Sequence, residues 1–592
     1  MDLTEAGLND KQIKAIEHTR SVFLTACPGS GKTKTLTYKI ATELTKLNDH
    51  RNFVVAITYT HRAADEILER VERLGLSTDQ LWIGTIHSFC LEWILRPYAI
   101  YEPRLESGFT IINQPDSEKL LEDICPRYLA PKIKPIDCNY HFINGKATPL
   151  CSDLAKHENI RSVLREYFTL LKQERKIDFE LILFFAHKLT SRFPSIAKSL
   201  ANLFSIILLD EYQDTKDIQY SILFSIFTAT PGKTRAFIVG DPNQAIFNSL
   251  GGHAIEFYDF KAKSRLEIDQ LSLSRNYRSS SKIIDYFSKY QVYKGQISAD
   301  AEYKDYKSTI THDTTTSLHS LEDEIVKLIR YSIDVQGIRQ EEICVVGPQW
   351  PALANMTRRL MSKLPDCSFD GPGMIPFGRE LDNFWYKLSR ICLSTPAPDM
   401  YLRRLRWANE VIRGLQDSGI ACTYTNKTLL KELNQINLNE RNGMRYLEYY
   451  FERFLALFKI NTLSSHPELE NHYNSFFETA RKRIENAKRD GLHLIEDIEN
   501  FQRAFKPRTG ITVSTIHGVK GAEFDNVISF ALLEGMVPHW ADSQKATSSK
   551  KLIYVIASRA RKNLYLISEN GRKKPPTSIL ITTRYQYDAP PT

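Results

Sequence analysis

The stretch that decides the fold is SVFLTACPGSGKTKTLTYKIATEL, residues Ser21–Leu44. An apolar run, a glycine-containing loop and helical spacing predict a buried strand, a phosphate-binding loop and a helix in succession. The loop follows the P-loop pattern GxxxxGK[ST], except that Ala26 stands in the place of the first glycine. Gly29 and Gly31 would let backbone N–H groups curl around phosphates at the positive end of the helix dipole.

The next two loop residues and a distant acidic pair complete the predicted nucleotide site. Lys32 is expected to reach the β- and γ-phosphates and Thr33 to bind Mg²⁺. SIILLDEYQDT (Ser205–Thr215) is a second apolar strand, and it would deliver an acidic pair to the carboxyl edge of the sheet. Asp210 suits metal coordination and Glu211 suits the general base for an attacking water. ATP and Mg²⁺ are therefore the predicted cofactors.

Short apolar runs alternate with helical spacing in two parts of the chain, which predicts buried parallel strands. The first part contains SVFLTA (Ser21–Ala26), FVVAIT (Phe53–Thr58), SIILLD (Ser205–Asp210) and AFIVGD (Ala236–Asp241). The second part contains EICVVG (Glu342–Gly347), NVISFAL (Asn526–Leu532) and NLYLIS (Asn563–Ser568). The fold class is therefore α/β, with two parallel-sheet domains that are each interrupted by a mostly helical insertion.

The expected boundaries follow from where the pattern turns helical and charged. In the first domain the sheet segments are 1–90 and 204–270 around an insertion at 91–203. In the second domain they are 271–394 and 508–592 around an insertion at 395–507. RYLEYYFERFLALF (Arg445–Phe458) has helical spacing and is expected to be core. ARKRIENAKRD (Ala480–Asp490) is either a DNA-facing helix or a solvated helix face.

Composition bounds the class of protein. Hydrophobic residues make up 42% and charged residues 25% of the 592 residues, which is ordinary for a globular protein and excludes a disordered chain. The formal charge of +8 permits a polyanionic partner without demonstrating one. The nine cysteines include no CxxC pair, which favours a reducing cytoplasm. No signal peptide and no membrane span is expected.

Taken together, the motifs resemble those of the UvrD/Rep/PcrA group of superfamily 1 DNA helicases. In that group two RecA-like domains, 1A and 2A, carry the insertions 1B and 2B. The matching segments follow one another in order along nearly the whole chain: LNDKQIKAI (Leu8–Ile16), AITYTHRAADEI (Ala56–Ile67), GTIHSF (Gly84–Phe89), LLDEYQDT (Leu208–Thr215), VGDPNQAIF (Val239–Phe247), LSRNYRSS (Leu273–Ser280), STIHGVKGAEFDNV (Ser514–Val527) and YVIASRARKNL (Tyr554–Leu564).

The resemblance implies a role for each matching nucleotide-site residue. Gln12 would read adenine, Tyr277 would stack on it and Glu523 would hold the ribose. Gln244 would contact the γ-phosphate, and Arg278 and Arg559 would act as arginine fingers supplied by the second core domain. The expected catalytic residues are Lys32, Glu211, Gln244, Arg278 and Arg559. The expected nucleotide-binding residues are Gln12, Ala26, Cys27, Pro28, Gly29, Ser30, Gly31, Lys32, Thr33, Lys34, Tyr277, Arg278, Glu523 and Arg559.

A single-strand track is implied by the same resemblance. Tyr59 occupies the position of a stacking aromatic. Polar side chains suited to phosphates follow in two other motifs: Thr85, His87, Thr515 and His517. The predicted partner is single-stranded or tailed duplex DNA.

Two departures weaken the expected unwinding machinery. After Phe247 the family continues with an aromatic and an arginine, whereas this chain has Asn248, Ser249 and Leu250. The family's strand-splitting pin carries an aromatic after the last motif, but no aromatic occurs here between Tyr565 and Tyr585. A compact chain that ends soon after the last motif is similar to helicase-like subunits of bacterial defence operons such as Gabija. There the subunit is paired with an OLD-type nuclease.

Two hypotheses therefore stand. One is an ATP-dependent motor that translocates 3′ to 5′ on single-stranded DNA and has weakened unwinding of duplexes, with a role in antiviral defence beside a nuclease. The other is an ATP-gated DNA-sensing subunit that regulates a nuclease and unwinds little.

Overall fold

The computed structural model describes residues 3–143, 145–247, 251–372, 374–378, 380, 383–489, 493–506, 510–542 and 544–591. The chain forms two compact units. The first unit comprises Met1–Ser308, Glu534–Lys562 and Thr577–Gln586. The second unit comprises Thr309–Leu533, Asn563–Pro576 and Tyr587–Thr592. Each unit is built on a six-stranded parallel sheet, which confirms the predicted α/β class.

The first sheet carries the P-loop strand near its middle. Its strands run in the order β6-β1-β5-β4-β2-β3. They are β1 (Ser21–Ala26), β2 (Phe53–Thr58), β3 (Leu81–Thr85), β4 (Phe204–Asp210), β5 (Arg235–Gly240) and β6 (Ile268–Leu273). The predicted bounds of β1 and β2 are confirmed, and β4 and β5 each begin one residue earlier than expected. Because the strands are parallel, the loops after β1, β4 and β5 meet at one edge of the sheet.

The α-helices of the first unit pack on the sheet, occupy the segment between β3 and β4, or follow β6 and lie in the two later parts of the unit. They are Asp10–Glu17, Lys32–Thr45, His61–Arg73, Ile86–Phe89, Arg96–Tyr98, Gln114–Ile124, His157–Gln173, Phe179–Arg192, Pro194–Leu203, Asp217–Ala229, Phe257–Ser264, Ser281–Ser288, Lys545–Ala557 and Ser578–Thr582. Successive residues of β1 point to opposite faces. Val22 and Leu24 share a buried cluster with Leu36 and Ile40, whereas Phe23 belongs to the cluster on the other face.

The segment between β3 and β4 is mostly helical, as expected, but it also contains short strands. Tyr140–Ile143 and Lys146–Pro149 form an antiparallel hairpin. Thr110–Ile111 and Lys176–Ile177 form a parallel pair. These short strands carry no extended apolar run, which is why the sequence pattern did not indicate them.

The second sheet has the order β7-β12-β11-β8-β10-β9. Its strands are β7 (Ile310–Asp313), β8 (Ile343–Gly347), β9 (Phe369–Asp370), β10 (Ile511–Thr515), β11 (Phe524–Ser529) and β12 (Ala560–Ile567). The expected strands EICVVG, NVISFAL and NLYLIS correspond to β8, β11 and β12. The short edge strands β7 and β9 and the interior strand β10 were not among the expected strands.

Helices fill the segment between β9 and β10. The α-helices of the second unit are Leu321–Arg330, Trp350–Lys363, Phe384–Cys392, Tyr401–Asp417, Asn426–Gln435, Gly443–Leu457, Pro467–Arg489 and Ile498–Arg503. Tyr450, Phe451 and Phe454 are buried in one cluster, so the aromatic row is core as expected. Across the described parts of the chain, no helix combines the length and the apolar character needed to cross a membrane.

Candidate nucleotide-binding and catalytic site

The P-loop adopts a backbone that its two glycines permit. Gly29 and Gly31 have φ of +66° and +76°, which residues with a side chain rarely adopt. A Cβ on Gly29 would lie 2.6 Å from the Cβ of Arg278, and one on Gly31 would lie 2.7 Å from Nε2 of Gln12. Ala26, by contrast, is the last residue of β1 and pairs with β6 in extended conformation. The departure from the first P-loop glycine therefore costs no backbone strain.

Side chains from outside the loop bind its carbonyl groups. Asn276 Nδ2 donates to Pro28 O at 2.7 Å, and Gln12 Nε2 donates to Ser30 O at 3.0 Å. The carbonyl and the following N–H of a trans peptide point in opposite directions. The N–H groups of Gly29 and Gly31 are therefore turned to the inner side of the loop, where a phosphate would bind.

Lys32 faces the acidic residues that follow β4 and β5. Its Nζ lies 3.5 Å from Oε1 of Glu211. Burial alone would lower the pKa of Lys32, but the carboxylates of Glu211, Asp241 and Asp210 outweigh burial and raise it. The ammonium group therefore remains charged. Glu211 has φ 53° and ψ 46°, the left-handed conformation that non-glycine residues adopt mainly at turns and functional sites.

The carboxylates around Lys32 suit a divalent cation. Burial raises the pKa of Asp210, and the adjacent Glu211 raises it further; burial also raises the pKa of Asp241. Burial, the larger cause, disfavours the charged form of each carboxyl group, and a bound cation would favour it. No group of three or more His, Cys, Asp and Glu side chains in the described chain is arranged to hold a metal ion. The assignment of Thr33 and Asp210 as Mg²⁺ ligands stays a prediction.

A chain of hydrogen bonds leads from the acidic group to Arg559. Asp241 Oδ2 accepts from Gln244 Nε2 at 2.8 Å and from Tyr554 Oη at 3.2 Å. Gln244 Oε1 accepts in turn from Arg559 Nη2 at 3.0 Å. Arg559 is only 1% exposed, so its guanidinium group is held within this unit. The structure thus brings together Lys32, Glu211, Gln244 and Arg559, which the sequence assigned to catalysis.

Arg278 joins the same group through its neighbours. Its Nη1 donates to Ser558 O at 3.1 Å, and Ser558 Oγ accepts from Arg559 Nη2 at 3.0 Å. Its backbone N–H donates to Asn276 Oδ1 at 2.8 Å. Both candidate arginine fingers therefore lie in the compact unit that contains the P-loop.

The residues expected around adenine have specific partners. Tyr277 is 39% exposed, and its Oη accepts from Asn9 Nδ2 at 2.7 Å. Both polar atoms of the Gln12 amide are engaged, since Oε1 also accepts from the backbone N–H of Asn9 at 2.9 Å. Lys34 Nζ donates to Gly7 O at 3.0 Å. Gln12 therefore supports the P-loop directly in this structure, and its contact with adenine stays a prediction.

Burial keeps the P-loop cysteine uncharged. It raises the pKa of Cys27 to about 12, and Asp241 contributes in the same direction. The carbonyl of Cys27 accepts from Ser30 Oγ at 2.7 Å. The thiol is therefore protonated at neutral pH, and the residue contributes packing and backbone to the loop.

The expected DNA-contacting residues fall in both units. Tyr59 is 43% exposed and lies 5.1 Å from Phe247, ring centre to ring centre, at an interplanar angle of 34°. Thr85 Oγ1 accepts from Ser88 N and caps the short helix after β3. Thr515 and His517, like the expected ribose ligand Glu523, belong to the second unit, where His517 and Glu523 are exposed. Asn248, Ser249 and Leu250, which carry the first departure from the family pattern, lie outside the described residues.

His87 is a neutral side chain in this structure. Burial, together with Lys216 and His61, lowers its pKa to about 4, and its ring contacts Phe179 at 5.5 Å between centres. An uncharged imidazole offers hydrogen bonds to a phosphate but no positive charge.

Acid should therefore destabilise the protein partly through His87. The unfolded chain binds a proton at this residue below about pH 6.5, whereas the folded chain resists protonation until about pH 4, so stability falls as pH drops through this window. The variant His87→Gln should lose less of its Tm between pH 7 and pH 5 than the wild type. Circular dichroism melts measure this, with His253→Gln, an exposed histidine of the same unit, as the control. An unchanged pH dependence in His87→Gln would contradict the assignment.

Several residues that build the site were not singled out by sequence. Asn276 is fully buried and ties the P-loop to the backbone of Arg278. Asn9 connects Gln12 to Tyr277, and Tyr554 binds Asp241. Each lies inside a segment that the sequence marks as a motif. Their contacts depend on residues distant in sequence, so the motif pattern alone does not assign them.

Comparison with known proteins agrees with this arrangement. Residues 8–264 match the family model described as UvrD/REP helicase N-terminal domain, and residues 408–571 match the UvrD-like helicase C-terminal domain. The chain is similar to the protein named ATP-dependent DNA helicase PcrA of Staphylococcus aureus, with 24% identity over 95% of this chain and 83% of that protein.

A second relative matches a shorter region. The protein named ATP-dependent DNA helicase UvrD1 of Mycobacterium tuberculosis is 31% identical over 47% of this chain and 38% of its own length. The two family models together match most of the chain, and the P-loop, the acidic pair and Arg559 lie in one unit. The chain therefore belongs to the UvrD-like family of superfamily 1 helicases.

Proposed function

We propose that this chain is an ATP-dependent DNA helicase that translocates 3′ to 5′ along single-stranded DNA in the cytoplasm. The observation that carries the proposal is the connected group of Lys32, Glu211, Gln244 and Arg559. The group contains a cation that would bind phosphate, a carboxylate that would act as a base and a second cation. Such a group is suited to phosphoryl transfer to water, where positioning and charge neutralisation supply most of the catalysis. Membership of the UvrD-like family supports DNA as the polymer.

The proposed roles follow the motif positions. Lys32 and Mg²⁺, held by Thr33 and Asp210, would neutralise the β- and γ-phosphates, and Glu211 would accept the proton of the attacking water. Arg278 and Arg559 would stabilise charge that develops in the transition state. Gln244 is bonded to both Asp241 and Arg559, so it can report loss of the γ-phosphate. Tyr277 would stack on the adenine, and the ribose contact of Glu523 stays a prediction from the resemblance.

Translocation polarity can be measured without unwinding. Oligonucleotides that carry a fluorophore at the 3′ or the 5′ end report the arrival of a motor by a change in emission. We expect ATP-dependent arrival at the 5′ end, with a lag that grows with DNA length. Length-dependent arrival at the 3′ end would reverse the assigned direction.

Tyr59 should contribute much of the affinity for single-stranded DNA. A base stacked on an aromatic contributes about 1–3 kcal/mol, so Tyr59→Ala should weaken single-strand binding about tenfold or more and remove most DNA stimulation of ATP hydrolysis. Phe247 packs beside it and completes an aromatic surface. Tyr258→Ala is the matched control, because Tyr258 is 77% exposed in the same unit but outside the DNA motifs. Equal losses in the two variants would contradict a specific stacking role.

A second candidate function is an ATP-gated DNA-sensing subunit that regulates a nuclease of the OLD type. The conformation of residues 568–577, which follow β12, favours this second candidate. This segment forms turns and isolated bridges and contains no hairpin. Arg572 there pairs with the fully buried Glu569, which holds the segment down. A strand-splitting pin would have to project from this position.

The purified chain alone should therefore be a poor strand separator. Melting one base-pair step costs about 1.4 kcal/mol. Without a wedge, the motor can advance only when thermal fraying has already opened the next base pair. A strand-displacement assay on a 3′-tailed duplex, run beside an ATPase assay on the same DNA, measures this. Brisk ATP hydrolysis with little displacement is the expected result, and it agrees both with a translocating motor that lacks a wedge and with the regulatory candidate. Efficient displacement would show that other residues supply the wedge.

The six-segment division at residues 90, 203, 270, 394 and 507 remains our proposal for the helicase subdomains. In this proposal the segments 91–203 and 395–507 are the 1B and 2B insertions. Limited proteolysis with and without ATP tests it at the boundary after residue 394, where Thr395 and Pro396 are exposed and cleavage should concentrate.

A further inference from the structure

Gln213 lies two residues after Glu211, and its side chain is 0% exposed. The roles assigned above to Lys32, Glu211, Gln244 and Arg559 do not require an amide at this position. Both ends of the amide are nevertheless engaged within the site. Its Oε1 accepts from the backbone N–H of Asp241 at 3.0 Å, and its Nε2 donates to Oε2 of Glu211.

The orientation of this amide is fixed by chemistry. A backbone N–H can only donate, so the atom that faces Asp241 N must be the carbonyl oxygen. The NH₂ group therefore faces Glu211, where it donates to a carboxylate. A hydrogen bond to a charged acceptor is stronger than one between neutral groups, so this contact constrains the side chain of Glu211.

Packing from β5 holds the amide in place. Gly240 is the last residue of β5, and a Cβ at that position would lie 2.2 Å from Oε1 of Gln213 and 2.7 Å from Cδ1 of Tyr212. Any other residue at 240 would displace the amide or the tyrosine. Gly240 therefore leaves the space that Gln213 occupies between β4 and β5.

The two contacts of Gln213 complete a continuous series of hydrogen bonds. The series runs from Glu211 through Gln213 to Asp241, and from there through Gln244 to Arg559. It connects the residue that would activate water with the residues that would contact the γ-phosphate. All five members lie in the first unit.

We infer that Gln213 is a positioning residue, which holds the carboxylate of Glu211 in place for the attacking water and makes that placement depend on Asp241. This inference rests on the proposed ATP hydrolysis. Gln213 occupies Oε2 of Glu211, while Oε1 lies toward Lys32. A base that is held before the reaction needs no reorganisation during it, which is the main source of catalytic advantage in such sites.

Two substitutions of similar size separate positioning from packing. Gln213→Met removes both hydrogen bonds. Gln213→Glu retains an oxygen for Asp241 N but sets a carboxyl group against Glu211, so a purely structural role through Asp241 would be preserved. We expect both variants to lower kcat for ATP hydrolysis about 10- to 100-fold, with ATP affinity within about threefold of the wild type.

Gly240→Ala tests the same contact from the other strand. Its methyl group should displace the amide and give a comparable loss of kcat. Gln219→Met is the matched control, because Gln219 is also buried and caps the next helix through Lys216 N at 2.9 Å, outside this series. It should retain normal kcat, whatever it loses in Tm.

Steady-state assays of ATP hydrolysis give kcat. Titrations with a fluorescent ATP analogue give the affinity separately. If the wild type hydrolyses ATP and Gln213→Glu keeps normal kcat, the inference is wrong and the proposed function stands. Parallel losses of affinity and kcat would also overturn it, because they indicate general damage to the site. If a Gln213 variant does not fold, two other variants test the inference by the same criteria. These are Gly240→Ala and Gln213→Asn, which keeps the amide on a shorter side chain. A wild type without ATP hydrolysis would refute the proposed function itself.

Discussion

Replacement of Arg559 by alanine is expected to lower kcat for ATP hydrolysis about a thousandfold or more and to leave ATP affinity nearly unchanged. The guanidinium group is buried beside Gln244 in the unit that contains the P-loop. A cation at this place interacts most strongly with the charge that develops on the γ-phosphate during transfer, so its removal affects the transition state more than the bound substrate. Single-turnover hydrolysis and equilibrium binding of an ATP analogue measure the two quantities.

The matched control is Arg559→Lys, which retains a charge but not the planar fork that donates to Gln244 and Ser558. Its kcat should lie between those of the wild type and Arg559→Ala. Because Arg559 is buried, the Tm of each variant must also be compared with that of the wild type. Lost ATP affinity with unchanged kcat would instead make Arg559 a ground-state contact.

Replacement of Glu211 by glutamine should reduce kcat at least about a hundredfold, which is the usual contribution of a general base. The substitution preserves size and leaves Lys32 in place, so binding of ATP should persist. Lys32→Ala should also reduce kcat at least about a hundredfold, because it removes the charge closest to the phosphates. The comparison separates a residue that acts on water from one that acts on the nucleotide.

Glu180→Gln is a useful control for these variants. Glu180 is a partly buried carboxylate of the same unit that pairs with Lys216, so it resembles Glu211 in charge and pairing but lies outside the P-loop group. Its variant should retain normal kcat. Near-normal hydrolysis by Glu211→Gln would remove Glu211 from the role of base.

The sequence predicted the sheets better than their edges. The residues of β1 and β2 form unbroken apolar runs because central parallel strands are buried on both faces. β6 alternates buried and exposed residues, and β9 has two residues, so neither presents such a run. The edges of both sheets therefore had to be learned from the structure.

In the nucleotide site, too, the sequence predicts the local features but not the contacts between distant segments. The P-loop spacing specifies Gly29, Gly31 and Lys32 because the loop is local, and the two glycines are indeed found with positive φ. The contacts of Asn276 with Pro28 O and of Gln213 with Asp241 N join residues that the chain brings together only when it folds. A motif indicates that such residues matter but not which backbone groups they bind.

We propose that ATP hydrolysis at the Lys32–Glu211 site drives this protein along single-stranded DNA. The most direct test is the steady-state rate of ATP hydrolysis by the purified chain as a function of single-stranded DNA concentration, with Lys32→Ala as the blank. We predict Mg²⁺-dependent hydrolysis that rises severalfold to saturation with DNA and is absent in Lys32→Ala. Hydrolysis that is the same with and without DNA, or that persists in Lys32→Ala, would contradict the account.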